Sequence, residues 1–279
     1  MSQHTEGTLH AFDGLTIFHQ TWLPDGDPIA VVMLIHGLGE HSGRYAHVAA
    51  ALNDAGIAVH ALDHRGHGKS EGKRTFVKSY DEFMKDLAQF RSVVEEQHPD
   101  LPLFVLGHSM GGNLAVGHAL EHQAGLAGLA LSGAALEVGS DLSPGKLKAF
   151  RLIAKIAPGF RPEGLSAEAI SRDPAVVAAY QNDPLVFTGK ISAGLGAALI
   201  DAMERFPARY PELTLPIAIM HGTDDQLASV DGSRALEAGA VNARVTTHYY
   251  EGLYHEIFNE PEQAQVLADL VSWIKAVVS

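Results

Sequence analysis

Hydrophobic positions follow a repeating rhythm along this chain. Short, unbroken apolar runs alternate with longer stretches in which apolar residues recur at helical spacing. The runs are Ile29-Ala30-Val31-Val32-Met33-Leu34-Ile35, Ile57-Ala58-Val59-His60-Ala61-Leu62, Leu103-Phe104-Val105-Leu106-Gly107, Ala127-Gly128-Leu129-Ala130-Leu131-Ser132 and Pro216-Ile217-Ala218-Ile219-Met220-His221. Such runs suit strands buried on both faces. A last strand is expected over 244–250. Looser alternation over 8–12 and 15–22, around Asp13-Gly14, predicts an antiparallel hairpin. Helices are expected at about 45–55, 79–97, 110–122, 229–238 and 261–277. Ser79 with Glu82 three residues on reads as a capping box, and Pro261 falls near the first turn of the closing helix.

Strands alternating with helices predict an α/β fold: a mostly parallel sheet with helices on both faces and its site at the carboxyl ends of the strands. The Gly-rich turns at 36–43, 63–70 and 107–112 all follow strands, which places them on one rim. The rhythm breaks between 136 and 211, where no strand-like run appears. Helical stretches near 144–156, 166–180 and 192–204 are separated there by Pro, Gly and Asp-Pro. The reading is a core made of residues 1–135 and 212–279 with a helical cap inserted at 136–211.

Composition narrows the function classes. With 279 residues, 46% of them hydrophobic, the chain can bury a sizeable core in one large domain. No apolar run approaches the ~18 residues that span a bilayer. Met1 to Gly7 has neither a basic nor an apolar signal region. Cysteine is absent, which excludes disulfides, thiolate metal sites and a Cys nucleophile. A cytoplasmic location is the expectation, with peripheral contact at a membrane surface left open. The formal charge of −13 argues against nucleic-acid binding and against broad adhesion to an anionic membrane. Nothing in the pattern sets an oligomeric state.

The chemistry centres on Gly107-His108-Ser109-Met110-Gly111. Strand, Gly-x-Ser-x-Gly, helix is the nucleophile elbow. The five-residue pattern alone is weak, so the rest of the chain must supply a base, an acid and a second oxyanion donor. Serine is a poor nucleophile unless an imidazole takes its proton. After Ser109 come His118, His122, His221, His248 and His255. The first two lie along the elbow helix and should point away. His221 and His248 fall in strands or at their ends and read as packed or exposed. His255, in a loop between the last strand and the closing helix, is the expected base. The acid should follow the preceding strand, where Asp224 and Asp225 both stand. Asp225 has the fuller loop reach, and Asp224 then reads as a solvated carboxylate or turn former. The oxyanion donors are expected to be the backbone N–H groups of Met110 and Leu38, with Gly39 as neighbour. Glu40, Arg44 and His41 either brace that turn by ion pairing or are solvated.

Two lookalikes fail. Gly68-Lys69-Ser70 ends like a P-loop, but Asp63 stands where its first glycine belongs. His255-Glu256 opens like a zinc-protease helix, but Asn259 stands where its second histidine belongs. No metal and no cofactor are expected.

Taken together, His36-Gly37-Leu38-Gly39-Glu40-His41-Ser42-Gly43-Arg44-Tyr45, Asp63-His64-Arg65-Gly66-His67-Gly68-Lys69-Ser70, Gly107-His108-Ser109-Met110-Gly111-Gly112, His221-Gly222-Thr223-Asp224-Asp225 and Tyr249-Tyr250-Glu251-Gly252-Leu253-Tyr254-His255-Glu256 resemble the monoacylglycerol lipase branch of the serine α/β-hydrolases, particularly its bacterial, mycobacterial-type members. The resemblance covers nearly the whole chain. It implies an α/β-hydrolase fold and hydrolysis of monoacylglycerols under a mobile helical cap, with Ser109, Asp225 and His255 as the triad. The cap carries the fewest motifs, so the resemblance does not set chain length or positional preference. A broader esterase or lysophospholipase would differ only in the subsite. An iminopeptidase-like enzyme would need a cap carboxylate such as Glu163 or Glu168. A non-catalytic ligand receptor would not need Ser109.

Within the cap, Leu147, Phe150, Ile153 and Ala154 share one face of the stretch 144–156, and Lys148, Arg151 and Lys155 share another. Between Leu142 and Pro162 every charged residue is basic, in an otherwise acidic chain. Two readings follow: an ordinary cap helix packed on the domain, or a helix resting on a lipid surface to admit substrate.

Overall fold

The apolar runs become the centre of one eight-stranded sheet, in a computed structural model that describes residues 3–138, 144–162, 164 and 166–279. The strands are β1 (Gln3–His10), β2 (Thr16–Leu23), β3 (Ala30–Ile35), β4 (Ile57–Leu62), β5 (Leu103–His108), β6 (Leu126–Ser132), β7 (Ile217–Gly222) and β8 (Val245–Tyr250). Their order is β1-β2-β4-β3-β5-β6-β7-β8. β2 runs antiparallel to β1 and β4, and every other pairing is parallel. The helices are α1 (Ala46–Asp54), α2 (Tyr80–Gln97), α3 (Met110–His122), α4 (Pro144–Ile156), α5 (Pro174–Asn182), α6 (Ala193–Arg205), α7 (Val230–Gly239) and α8 (Gln263–Val278).

Strand side chains alternate between faces, so a run that is apolar throughout needs cover on both. In β3, Val31, Met33 and Ile35 enter a cluster with Phe83, Leu87 and Phe90 of α2 and Leu114 of α3. Ala30, Val32 and Leu34 enter the opposite cluster, with Val48 and Leu52 of α1 and Leu270 and Trp273 of α8. The parallel register aligns Ile35 with Leu62 and with Gly107, which brings the turns after β3, β4 and β5 to one edge. The turns after β7 and β8 reach the same edge, because Gly222 pairs with Tyr250.

Some expectations shift. β1 begins at Gln3, well before the expected start at residue 8, and its first half is exposed. An edge strand pairs on one side only and can form without an apolar face. Ser79 is the N-cap of α2, but its side chain makes no capping bond. Glu82 instead accepts the N–H of Lys78 at 2.9 Å, so the reciprocal capping box does not form. The stretch expected as one helix over 166–180 is a 3₁₀ turn at Ala167–Ala169 followed by α5. Asp173 caps α5 through its side chain, and Pro174 disfavours a helical residue before it. Between β6 and β7 the described residues hold no strand, only α4, α5, α6 and 3₁₀ turns.

Candidate active site

Ser109 stands between the last residue of β5 and the first of α3. Its φ of 54° lies in the left-handed region, which a side chain other than glycine's rarely adopts. The conformation is held from both sides. The Ser109 N–H donates to Ser132 O at 3.0 Å, and its carbonyl accepts the N–H groups of Asn113 and Ala135, each at 3.1 Å. Two glycines make the turn sterically feasible. A Cβ on Gly107 would meet Gly111 O at 2.4 Å, and one on Gly111 would meet Ile35 O at 2.1 Å. The strand–turn–helix and its strained serine thus have the geometry of a nucleophile elbow.

Asp225 sits in the turn after β7 with its side chain fully buried (0% exposed). Oδ1 accepts the backbone N–H of Leu227 at 2.8 Å and of Ala228 at 2.9 Å. Oδ2 lies 2.7 Å from His255 Nδ1, in the loop after β8. Burial opposes the Asp225 charge, but His255 and the surrounding donors outweigh it and hold the carboxyl far below its usual range. Burial likewise pushes the His255 imidazole down, and the attraction and hydrogen bond of Asp225 outweigh that, so its pKa is raised. With Nδ1 bonded to Asp225, His255 Nε2 is the ring nitrogen with no hydrogen-bond partner among the described residues. No hydrogen bond joins Ser109 Oγ to His255 among the described residues. Such bonds are commonly long before substrate binds.

The other candidates fall elsewhere. Asp224 is exposed, and its carboxylate accepts from its neighbour Thr223. His118 is buried with its ring tilted against that of His122, 5.2 Å between centres, and His248 lies 3.6 Å from Asp269. His221 departs from its expected role as an ordinary packed histidine: its Nε2 reaches Asp225 Oδ2 at 3.0 Å.

The turn after β3 carries Leu38. Glu40 folds back into it, and Oε1 accepts the Gly37 N–H and the Tyr45 hydroxyl, each at 2.6 Å. Arg44 bridges Glu40 and Glu256 at 2.7 Å and lies over the Tyr180 ring, 4.8 Å from its centre. Glu40 and Arg44 therefore brace the turn by ion pairing. His41 pairs instead with Asp183, from the segment after α5, at 2.9 Å. The turn after β4 supports the same loop, since Asp63 accepts the N–H and hydroxyl of Ser42. The backbone N–H groups of Leu38 and Met110 have no protein acceptor among the described residues. His108, next to the serine, has its ring 4.7 Å from that of His255. Burial and the neighbouring His255 push its pKa down to about 4, which keeps it neutral. Sequence reasoning missed Glu256, Tyr180 and Asp183. Only Glu256 carried a signal, as the neighbour of His255.

Ser109, Leu38, His108, His255, Glu40 and Glu256 line one small cavity, together with Ile170, Tyr180 and Leu227. Its volume is about 20 Å³, room for about one water. Of the carboxylates suggested for binding a substrate amine, Glu163 lies outside the described residues. Glu168 is exposed and bonds Ser166 and Gln181, away from Ser109. Among the described residues no cluster of His, Asp and Glu could hold a metal ion, and no helix is long and apolar enough to cross a membrane.

The faces of α4 differ from expectation. Ala154 is buried and Phe150 packs toward Gly196 of α6, but Leu152, Ile153, Ile156 and Phe160 are exposed. Arg151 turns inward and pairs with Asp201 and Glu204 of α6. Phe150 and Ala154 lie one turn apart and set the inner face, which rotates Ile153 outward.

Comparison with known proteins points the same way. The family model described as serine aminopeptidase, S33, matches residues 26–262. A protein named monoacylglycerol lipase, from Mycolicibacterium smegmatis, is 43% identical over 273 residues, 98% of each chain. The monoglyceride lipase of Mus musculus is 34% identical over 265 residues, 94% of this chain and 88% of that one. The crystal structure of a monoacylglycerol lipase from Paleococcus ferrophilus superposes with a TM-score of 0.82 over 99% of both chains, at 31% identity.

Proposed function

The chain belongs to the monoacylglycerol lipase family of serine α/β-hydrolases, and from that premise we propose that it cleaves monoacylglycerols to glycerol and a free fatty acid through an acyl-enzyme. One observation carries the mechanism: the buried 2.7 Å contact between Asp225 Oδ2 and His255 Nδ1, beside a serine held at a φ of 54°. In this reading His255 Nε2 takes the Ser109 Oγ proton as Oγ attacks the ester carbonyl. The N–H groups of Met110 and Leu38 stabilise the oxyanion. Collapse breaks the acyl carbon–oxygen bond, and His255 returns the proton to the leaving glycerol oxygen. His255 then deprotonates a water, whose oxygen attacks the acyl carbon; collapse breaks the bond to Ser109 Oγ, His255 returns the proton to Oγ, and the acid leaves.

We read residues 136–211 as a cap that closes over the ester. Each methylene of the acyl chain that it covers would add roughly 0.8 kcal/mol. We further propose that the outer face of α4 rests on the lipid surface from which the substrate comes. Leu152 (58% exposed), Ile156 (75%) and Phe160 (52%) face outward, and Lys148 and Lys155 flank them. Replacing Ile156 and Phe160 by Ser should reduce sedimentation with anionic vesicles. Unchanged sedimentation would remove the membrane reading and leave the esterase.

The functional test is covalent labelling of Ser109 by a fluorophosphonate, lost on boiling. It is paired with side-by-side turnover of monoacylglycerol, diacylglycerol and lysophospholipid. Labelling and a preference for monoacylglycerol are expected. Absence of label would remove the serine hydrolase. Equal turnover of all three esters would replace the monoacylglycerol preference by a broad esterase.

A further inference from the structure

Asp225 accepts hydrogen bonds from two imidazoles. Besides His255, its Oδ2 lies 3.0 Å from Nε2 of His221, four residues earlier near the end of β7. The His221 side chain is completely buried. Its Nε2 faces only acceptors, Asp225 Oδ2 and the carbonyl of Ala228 at 3.1 Å, so that nitrogen carries a hydrogen. Its Nδ1 lies 2.8 Å from the hydroxyl of Ser233, a buried residue of α7. That hydroxyl makes no other hydrogen bond among the described residues. It therefore donates to Nδ1, and the two contacts together select the neutral, Nε2-protonated form of His221.

We propose that His221, fixed in this form by Ser233, is a positioning residue that shares the carboxylate of Asp225 with His255 and sets how strongly the acid raises the basicity of the base. The proposal rests on the reading of Ser109, His255 and Asp225 as the hydrolytic triad. Its physical basis is the limited charge of one oxygen. Every donor on Oδ2 draws down the negative charge that His255 sees, and in a buried site that charge is poorly screened. Without His221, more of it would fall on His255 and the imidazolium would be held too firmly to return its proton. The other groups facing His255 are Glu256, Glu40 and the ring of His108, and none of them bonds to Oδ2. His221 keeps its own proton throughout. The protons in flight pass between His255 Nε2 and Ser109 Oγ, the leaving oxygen or the attacking water.

The test is the rate of fluorophosphonate labelling of Ser109, followed across the titration of His255. This readout does not depend on which ester is the substrate. His221→Leu should move the acid limb upward by roughly one pH unit, because a hydrogen bond to a charged group has been lost. His221→Gln, whose amide can still donate to Oδ2, should restore the native limb. Ser233→Ala should shift it in the same direction as His221→Leu but by less, and Ser233→Thr should restore it. If His221→Leu fails to fold, the Ser233 pair carries the test. A purely structural role predicts slower labelling with an unmoved limb in every variant, and that result overturns the proposal while leaving the hydrolase intact. A native chain that takes no label at Ser109 overturns the functional reading, and this proposal with it.

Discussion

The backbone N–H of Phe187 donates to the carbonyl of Gly39 at 2.7 Å, which ties the cap to the loop that carries Leu38. The His41–Asp183 pair runs beside it, at 2.9 Å. Across the cavity, the Glu256 N–H donates to Ile170 O at 2.7 Å. The proposed cap is thus bonded to both walls, beside the proposed oxyanion donor on one side and beside the proposed base on the other. The space beside Ser109 has room for about one water, so in this proposal an ester enters when the cap lifts, which strains or breaks these ties.

Asp183→Ala removes the His41–Asp183 tie. A partly exposed pair contributes at most about 1 kcal/mol, so labelling of Ser109 by a bulky fluorophosphonate should speed up by roughly two- to fivefold. Amide exchange over residues 183–188 should rise with it. Unchanged labelling would show that this pair does not limit opening.

The raised pKa of His255 places the acid limb of kcat/KM on a soluble ester above the ordinary histidine value of about 6.5. The stability effects have opposite signs. The raised His255 favours the folded state below its ordinary value, and that contribution is lost as pH rises through the folded pKa. The depressed Asp225 favours the folded state above the ordinary carboxylate range, and that contribution is lost as pH falls through its folded value. Asp225→Asn should lower kcat by about 10⁴-fold and bring the His255 titration down. A pH–rate profile and imidazole NMR check both, and an unmoved His255 titration in this variant would contradict the assignment.

Glu40 joins the proposed oxyanion turn to Arg44 inside the protein. Glu40→Ala leaves the Gly37 N–H and the Tyr45 hydroxyl without their acceptor and removes one of the two carboxylates that pair with Arg44. Breaking a buried pair costs about 3–5 kcal/mol, and loosening the turn should lower kcat by about 10²-fold. Calorimetry and steady-state kinetics read the two effects separately. A native melting temperature would show that the brace carries no stability.

Gly111→Ala would put a methyl group 2.1 Å from Ile35 O, between two rigid backbones, and should abolish soluble expression or lower the melting temperature sharply. Gly145→Ala is the contrast. Nothing lies within 4 Å of its Cβ position near the start of α4, and the change should stabilise by up to about 1 kcal/mol. Similar melting of the two variants would refute the steric account.

The sheet core and its rim were legible because both obey local rules. A strand covered on both faces must be apolar throughout, and an elbow needs glycines where backbones touch, so β3 to β7 and the turn at Ser109 could be read from the residues. What was not legible depends on partners distant in sequence. Gln3 to Glu6 form a strand only because β2 offers an edge. Tyr180 and Asp183 reach Arg44 and His41 through the fold, and no pattern along the chain announces it. His221 looked like a packed strand residue because its role rests on Ser233, contributed by the next helix. In α4, Ile153 is exposed although it was grouped with Leu147, Phe150 and Ala154, and Arg151 finds two acidic partners on α6 that no pattern along the chain announces.

The backbone of Ser109 makes the site a liability to the fold that contains it. Its φ of 54° costs of order 1–3 kcal/mol in a residue with a Cβ, and a hydrogen bond to Ser132 O together with those from the N–H groups of Asn113 and Ala135 holds it there. Selection for stability alone would favour glycine at this position and produce a sturdier, inert protein. The serine survives only while its chemistry is needed, so a lineage that lost the need for this hydrolysis would be expected to lose Ser109 before the surrounding sheet.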